Sequence, residues 1–306
     1  MATHAMRVSA ANLRTERAIA RQAMRWDEYL FRAACFGAAT LLLAALAGLV
    51  ISLAIGGWPA FKAFGWRFFV TAEWNPVTDF YGAAGPIVGT LVTGFLALLF
   101  ALPLAMGVAV FLTEFCPKRL AQPIAVAVEL LAGIPSIVYG MWGLFVFAPW
   151  FAAHVGGASG ANIFTASVIL AVMILPYMAA VFRELFLSVP AQVREAAFGL
   201  GSTSFEAVAR VIVPYVRRGV VGVVMLGLGR ALGETMAVTF IIGNAHGLPH
   251  SLFGAGSTIA STIANEFTEA TGELHTASLI ALGLVLFVIT FAVLAVARVL
   301  LAGDKR

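Results

Sequence analysis

The sequence predicts an all-α integral membrane protein, a bundle of six membrane-spanning helices, and three observations predict it. Hydrophobic residues make up 61% of the 306 residues and charged residues only 11%, where a soluble domain carries about 25% charged; mean hydropathy is +0.96. Apolar runs of about 20 residues, the length a bilayer asks of a helix, recur six times along the chain. The basic residues fall almost entirely in alternate connections between those runs.

Residues 1–32 are polar and carry six arginines, Arg7 to Arg32. They read as a cytoplasmic segment that either lies on anionic lipid as an amphipathic helix or stays disordered. The six-span domain follows at 33–301. Its first run, 33–55, is too long for the apolar part of a cleavable leader and is expected to be retained. The loop 56–85 is rich in aromatics such as Trp58, Trp66, Trp74 and Tyr81, which at that depth suit an interfacial belt. The second run is 87–112. The third, 123–151, is interrupted by Gly133 and Pro135. Such breaks are tolerated where protein or water re-satisfies the freed backbone. Gly133, Pro135 and Ser136 therefore form a candidate gate or, on equal terms, a structural kink, with Glu129 just before them. Runs at 163–187, 220–243 and 277–301 complete the set. Length and continuity favour helices over the short alternating strands of a barrel.

The loop 244–275 contains an amphipathic stretch, 258–267, suited to a short interface helix. His246, His250 and His275 lack the spacing of a metal cluster and read as polar loop residues. Cys35 and Cys116 support neither a disulfide framework nor a metal site.

Basic residues set the orientation. With the N-terminus inside, the cytoplasmic side holds the arginines of 1–32, Lys118, Arg119, Arg183, Arg194, Arg210, Arg217, Arg218, Arg298, Lys305 and Arg306, against Lys62 and Arg67 outside. Both termini are thus expected in the cytoplasm and the loops 56–85 and 244–275 in the periplasm. A net charge of +4 placed this way reports membrane orientation and not nucleic-acid binding. None of the three lysines follows a glycine, so the chain has no P-loop. With no nucleophile–base set either, it reads as a non-enzymatic subunit without a cofactor of its own.

The connection 188–218 differs from a plain tether. Pro190 suits a helix start, Gly199 or Gly201 the left-handed residue that ends one, and Thr203 with Glu206 has capping-box spacing. A helix, a glycine turn and a second helix ending near Pro214 are predicted on the cytoplasmic face. Glu195-Ala196-Ala197, Gly201 six residues after the glutamate, and the closing Val211-Ile-Val-Pro214 resemble the EAA loop of ABC-importer permeases. Val211 and Val213 stand where that family more often has isoleucine and leucine. The resemblance implies that Glu195, Ala196, Ala197, Gly201 and Pro214 dock on an ATPase subunit, which binds the ATP and magnesium. Three further stretches, Leu131–Gly140, Gly227–Asn244 and Thr258–Ala270, resemble phosphate-specific permeases of the PstC type, within the type I, MetI-like importer family. That resemblance implies an ATP-driven phosphate importer of the bacterial inner membrane. Its implied partners are a second homologous permease, an ATPase dimer, a periplasmic phosphate-binding protein and membrane lipid.

Arg230 lies twelve residues after Arg218, about 18 Å into its span, and Glu234 follows one helical turn later on the same predicted face. A central arginine costs roughly 2.5–3.5 kcal/mol to insert and normally faces a bundle interior or a wet cavity. Two readings stand: a structural ion pair, or a guanidinium fork offered to a passing phosphate and held by Glu234 when no anion is present. Gly229 and Gly233 form a GxxxG pair on this span, with Gly222 and Gly227 nearby, a weak signal of close helix approach. Alternatives of function are a permease for sulfate or molybdate, or an ion-coupled secondary transporter using Glu129 and Glu234 as proton sites.

Overall fold

The computed structural model describes the backbone of residues 2–155, 160–249 and 251–302, and the side chains of 26–155, 160–249 and 251–299. The side chains of Arg7 to Arg25, His250, Lys305 and Arg306 fall outside that description, and with them the expected lipid-facing surface of 1–32. Two units separate by internal contacts, Met1–Ile55 and Gly56–Arg306.

Helix α1 runs Ala2–Phe64 and supplies the whole first unit. Within that unit its side chains from Trp26 onward are exposed almost throughout, including Phe36, Leu41, Leu42 and Leu43. The helix also runs past residue 56, where the sequence predicts a loop. Gly56, Gly57 and Pro59 look like punctuation, yet membrane helices absorb glycine and proline. Gly57 has a packing reason as well: a methyl there would come 2.9 Å from the Ala281 Cα.

In the second unit, α2 (Arg67–Val70) leads into a two-stranded ribbon in which β1 (Trp74–Asn75) pairs antiparallel with β2 (Phe80–Tyr81). The turn holds Asp79 at φ 50, a left-handed conformation that aspartate tolerates better than most residues. Phe68, Trp74 and Tyr81 are buried, whereas Trp58 and Trp66 are exposed. Much of the predicted aromatic belt is therefore an internal cluster.

The bundle is built around α7 (Ile163–Leu187), two-thirds of whose apolar window is buried. Helix α3 (Ala84–Val110) packs along it with a stripe of small residues four apart: Gly85, Gly89, Thr93, Ala97, Ala101, Ala105 and Ala109 are all buried. Lipid tails are as apolar as leucine, so helices in a bilayer associate by close packing, which small residues permit. Thr90 and Thr93 turn their hydroxyls onto the Pro86 and Gly89 carbonyls, so buried polar groups within the stripe are satisfied. Helix α3 ends in a π-helical turn, Phe111–Phe115.

The third predicted span divides. Helix α4 (Lys118–Ala132) stops at Gly133, and a new helical stretch begins with α5 (Ser136–Trp142). It passes through a π-helical turn at Gly143–Phe147 into α6 (Ala148–His154). Only Ser136–His154 has the length and apolarity of a span, so the span starts at the break and not at 123. The fifth span divides too. Helix α11 (Arg217–Leu232) ends at Gly233 and α12 (Met236–Ile241) follows. Sixteen residues of α11 cover only about 24 Å, short of a hydrocarbon core of about 30 Å. Helix α13 (Ile259–Glu266), capped by Thr258, and α14 (Glu273–Ala302) close the chain. Among the described residues five helices qualify as spans, or six when the helical stretches flanking Val216 are counted as one bent span. The predicted six-span bundle is thus reproduced with two of its members broken.

Candidate transport pathway and coupling segment

The connection 188–218 folds as a helix, a turn and a second helix. Helix α8 (Ala191–Gly199) is preceded by Pro190, and Gly201 adopts φ +85, so it and not Gly199 is the left-handed residue. Thr203 caps α9 (Ser204–Glu206) in a reciprocal box with Glu206. The Thr203 backbone N–H and then its hydroxyl donate to the Glu206 carboxylate and hold it below the usual carboxylate range. A π-helical turn at Ala207–Ile212 leads to α10 (Val213–Tyr215), and the stretch Ser204–Tyr215 is bent 78° from α11. Glu195, Ala196, Gly201 and Pro214 are exposed and Ala197 is buried. Leu200 and Phe205 stand out at 89% and 76% exposure.

Next to Glu195, Arg194 turns inward. Its guanidinium pairs with Glu114 on the π-turn that ends α3, and donates a second hydrogen bond, 2.5 Å, to the Phe186 carbonyl at the end of α7. Arg194 stands just before the Glu195-Ala196-Ala197 motif, but its partner lies 80 residues away, beyond the reach of local spacing.

Arg230 and Glu234 do not share a helical face. Helix α11 ends between them, and the Glu234 carboxylate accepts from the Ala237 N–H at 3.2 Å, capping α12. Among the described residues Arg230 makes no ion pair. Its guanidinium lies 5.6 Å from the centre of the Tyr177 ring, a cation–π contact, and is within electrostatic reach of the Tyr139 phenol. Tyr139 itself donates to the Leu131 carbonyl at 2.9 Å, bridging the break at Gly133–Pro135. The structure therefore brings the two sequence-predicted groups into one neighbourhood, Arg230 on one side and the 133–136 break on the other. Gly133 and Pro135 are exposed and Ser136 is partly so; Glu129 is exposed on α4. The broken helices also touch: a methyl at Gly140 would meet the Ala237 Cα at 2.9 Å. Gly227 abuts Met178 of α7, so it serves packing within the chain. Gly233 has left the helix, so Gly229 and Gly233 form no continuous ridge. Tyr177 carries no charge or motif that separates it from other aromatics in sequence, and Tyr139, though inside the 131–140 stretch, is linked to Arg230 only by the fold.

At the opposite end of the second unit, Glu266, the last residue of α13, gathers three partners. Trp74 donates to Oε2 at 2.7 Å, His275 Nε2 lies 2.9 Å from the same oxygen, and His246 Nε2 is 3.6 Å from Oε1. The Tyr81 ring stacks on His275 with centroids 5.0 Å apart and donates its hydroxyl to Asp79 at 3.3 Å. Burial, then the Asp79 charge and hydrogen bond, and last the Glu266 charge, push the Tyr81 phenol up to about 12.

Over residues 101–303 the chain matches the family described as the binding-protein-dependent transport system inner membrane component. The phosphate transport system permease protein PstC of Mesorhizobium japonicum is 50% identical over 291 residues, covering 89% of each chain. PstC of Pasteurella multocida is 50% identical over 293 residues, 90% of this chain and 91% of that one. In fold, the chain resembles a bacterial ABC transporter involved in import of the acidic polysaccharide alginate, with TM-score 0.58 at 17% identity over 87% of this chain and 96% of that one. At 50% identity over about nine-tenths of its length, the chain is a member of the PstC family of phosphate transport permeases.

Proposed function

We propose that this chain forms one half of the membrane passage of an ATP-driven importer of inorganic phosphate, with both termini and the 188–218 segment in the cytoplasm. Its partners are a second homologous permease, a dimer of ATPase subunits that binds ATP and magnesium, and a periplasmic phosphate-binding protein; lipid covers the remaining apolar faces. Glu195, Ala196, Gly201 and Pro214, with the buried Ala197 packed beneath them, form the surface on which the ATPase docks. Its closure displaces that surface and turns the bundle from one access to the other.

The observation that carries the phosphate reading is the state of Arg230. A guanidinium inside a span is costly, and here it lies against the Tyr177 ring, within electrostatic reach of the Tyr139 phenol, while Glu234 accepts from the Ala237 N–H at the start of α12. A cation held by a ring face keeps its fork of N–H donors available, and that fork matches phosphate oxygens. The contact is weak enough, about 0.5–2 kcal/mol, for an anion to displace it and leave again. The break at Gly133, Pro135 and Ser136 then lies beside the anion's path, as a gate requires.

In vesicles containing the whole importer, Arg230→Gln is expected to abolish phosphate uptake while the ATPase subunit still co-purifies. Undiminished uptake would remove Arg230 from the pathway. Arg230→Lys keeps the charge and loses the fork, and is expected to retain only a small part of the uptake.

A further inference from the structure

Besides its outward-facing residues, the coupling segment carries one that faces the spans. Arg194 touches three elements through a single planar group: α8, to which it belongs, the π-turn that ends α3, through Glu114, and the last turn of α7, through the Phe186 carbonyl. Its side chain is 19% exposed and that of Glu114 11%. A second ion pair of the segment, Arg210 with Glu206, is internal to it and open to solvent, and so does not tie the segment to the bundle.

We propose that the Arg194–Glu114 pair is the strut through which displacement of the coupling segment reaches α3 and α7, making both positioning residues of the transport cycle. Apolar contacts also join the segment to the bundle, through Val189, Val193, Ile212 and Val216. Hydrophobic attraction, however, has no direction, so these contacts let α8 slide. A charge-assisted fork fixes both direction and register. The cation also sits against the carbonyl end of α7, where the helix dipole favours it. The π-turn marks where α3 departs from regular geometry, as such turns often do at functional sites, and Glu114 lies inside it. Arg194 and Glu195 thus divide the work of adjacent positions: Glu195 faces the ATPase, and Arg194 carries its movement into the membrane.

This inference rests on the docking role proposed for the segment, and the experiment separates the two. The complete importer is reconstituted with its binding protein, and the ATP hydrolysed per phosphate taken up is measured alongside the amount of ATPase subunit retained. Glu114→Gln and Arg194→Met are each expected to raise that ratio about tenfold with the ATPase subunit retained at the wild-type level. The double variant is expected to be no worse than either single one, because both cut the same link. Arg194→Lys should fall between, since it keeps the charge and loses the two-pronged geometry. Ratios within twofold of wild type overturn the strut. So do uptake and hydrolysis that fall together with the amount of ATPase retained, since that pattern is a fault of assembly. If a single variant leaves an orphaned charge and does not assemble, the uncharged double variant carries the same readout, and its own failure to assemble also overturns the proposal. A wild-type chain that retains no ATPase subunit refutes the docking role itself.

Discussion

The two ends of the second unit treat their polar groups differently. Around Glu266, three partners from the ribbon, the loop and α14 converge on one carboxylate, and Tyr81 and His275 stack beneath it. In the 188–218 segment, large apolar side chains such as Leu200, Phe205 and Tyr215 project outward beside the exposed Glu195. One end is finished in most of its polar groups within the chain, although Trp66, Val77 and Phe267 there stay exposed. The other lacks such a convergence among its described residues and leaves hydrophobic area uncovered, which a monomer seldom does without a partner.

Substitutions at the two ends should therefore fail differently. Glu266→Ala removes the acceptor of Trp74 and His275 at once and is expected to cost about 3 kcal/mol of stability, read from thermal unfolding of the detergent-solubilised protein. Glu266→Gln, which keeps one acceptor, should cost less. If both are neutral, the finished end is not held by this carboxylate. Phe205→Ser should leave unfolding within about 0.5 kcal/mol of wild type yet weaken ATPase binding by about 2 kcal/mol, roughly 30-fold; a matching loss of stability would mean that Phe205 packs within the chain. Gly201→Ala meets no atom within 4 Å, so its cost is the backbone conformation alone, about 1 kcal/mol, and it should blunt docking by changing the turn.

The smallest effect concerns pH. The Glu206 pKa is lowered, so its capping contribution is complete above the ordinary glutamate range and fades as pH falls through the lowered value. The protection factor of the Glu206 amide, that is, its exchange corrected for intrinsic base catalysis, should fall on acidification and not on alkalinisation. The opposite end offers an alkaline counterpart, because the Tyr81 phenol should stay protonated until about pH 12, visible as one late-titrating tyrosine in the ultraviolet spectrum.

Long apolar runs made α3, α7 and α14 legible, since a bilayer reads length and composition directly. The break before Ser136 was legible because Gly133 and Pro135 are explicit interrupters. The break after Leu232 was not: Gly233-Glu234-Thr235 occurs in ordinary helices, and only the backbone shows the Glu234 carboxylate capping the next helix. That one event separated Arg230 from the acidic partner that four-residue spacing assigns to it. The start of the first loop is displaced for the converse reason: helix α1 continues through Gly57 and Pro59, and a close approach to Ala281 accounts for the glycine. Contacts between distant segments, such as Arg194 with Glu114 or Arg230 with Tyr177, leave no periodic trace and become visible only in three dimensions.

At residue 140 the two interrupted helices meet with no side chain on one of them to act as a cushion. Soft side chains between moving parts absorb small rotations by changing rotamer, and here that layer is missing. A tilt on one side of the Gly133–Pro135 break must therefore be passed to α12 and to the kink beside Glu234. The two interruptions work like the two leaves of a single door: neither can swing while the other stays shut.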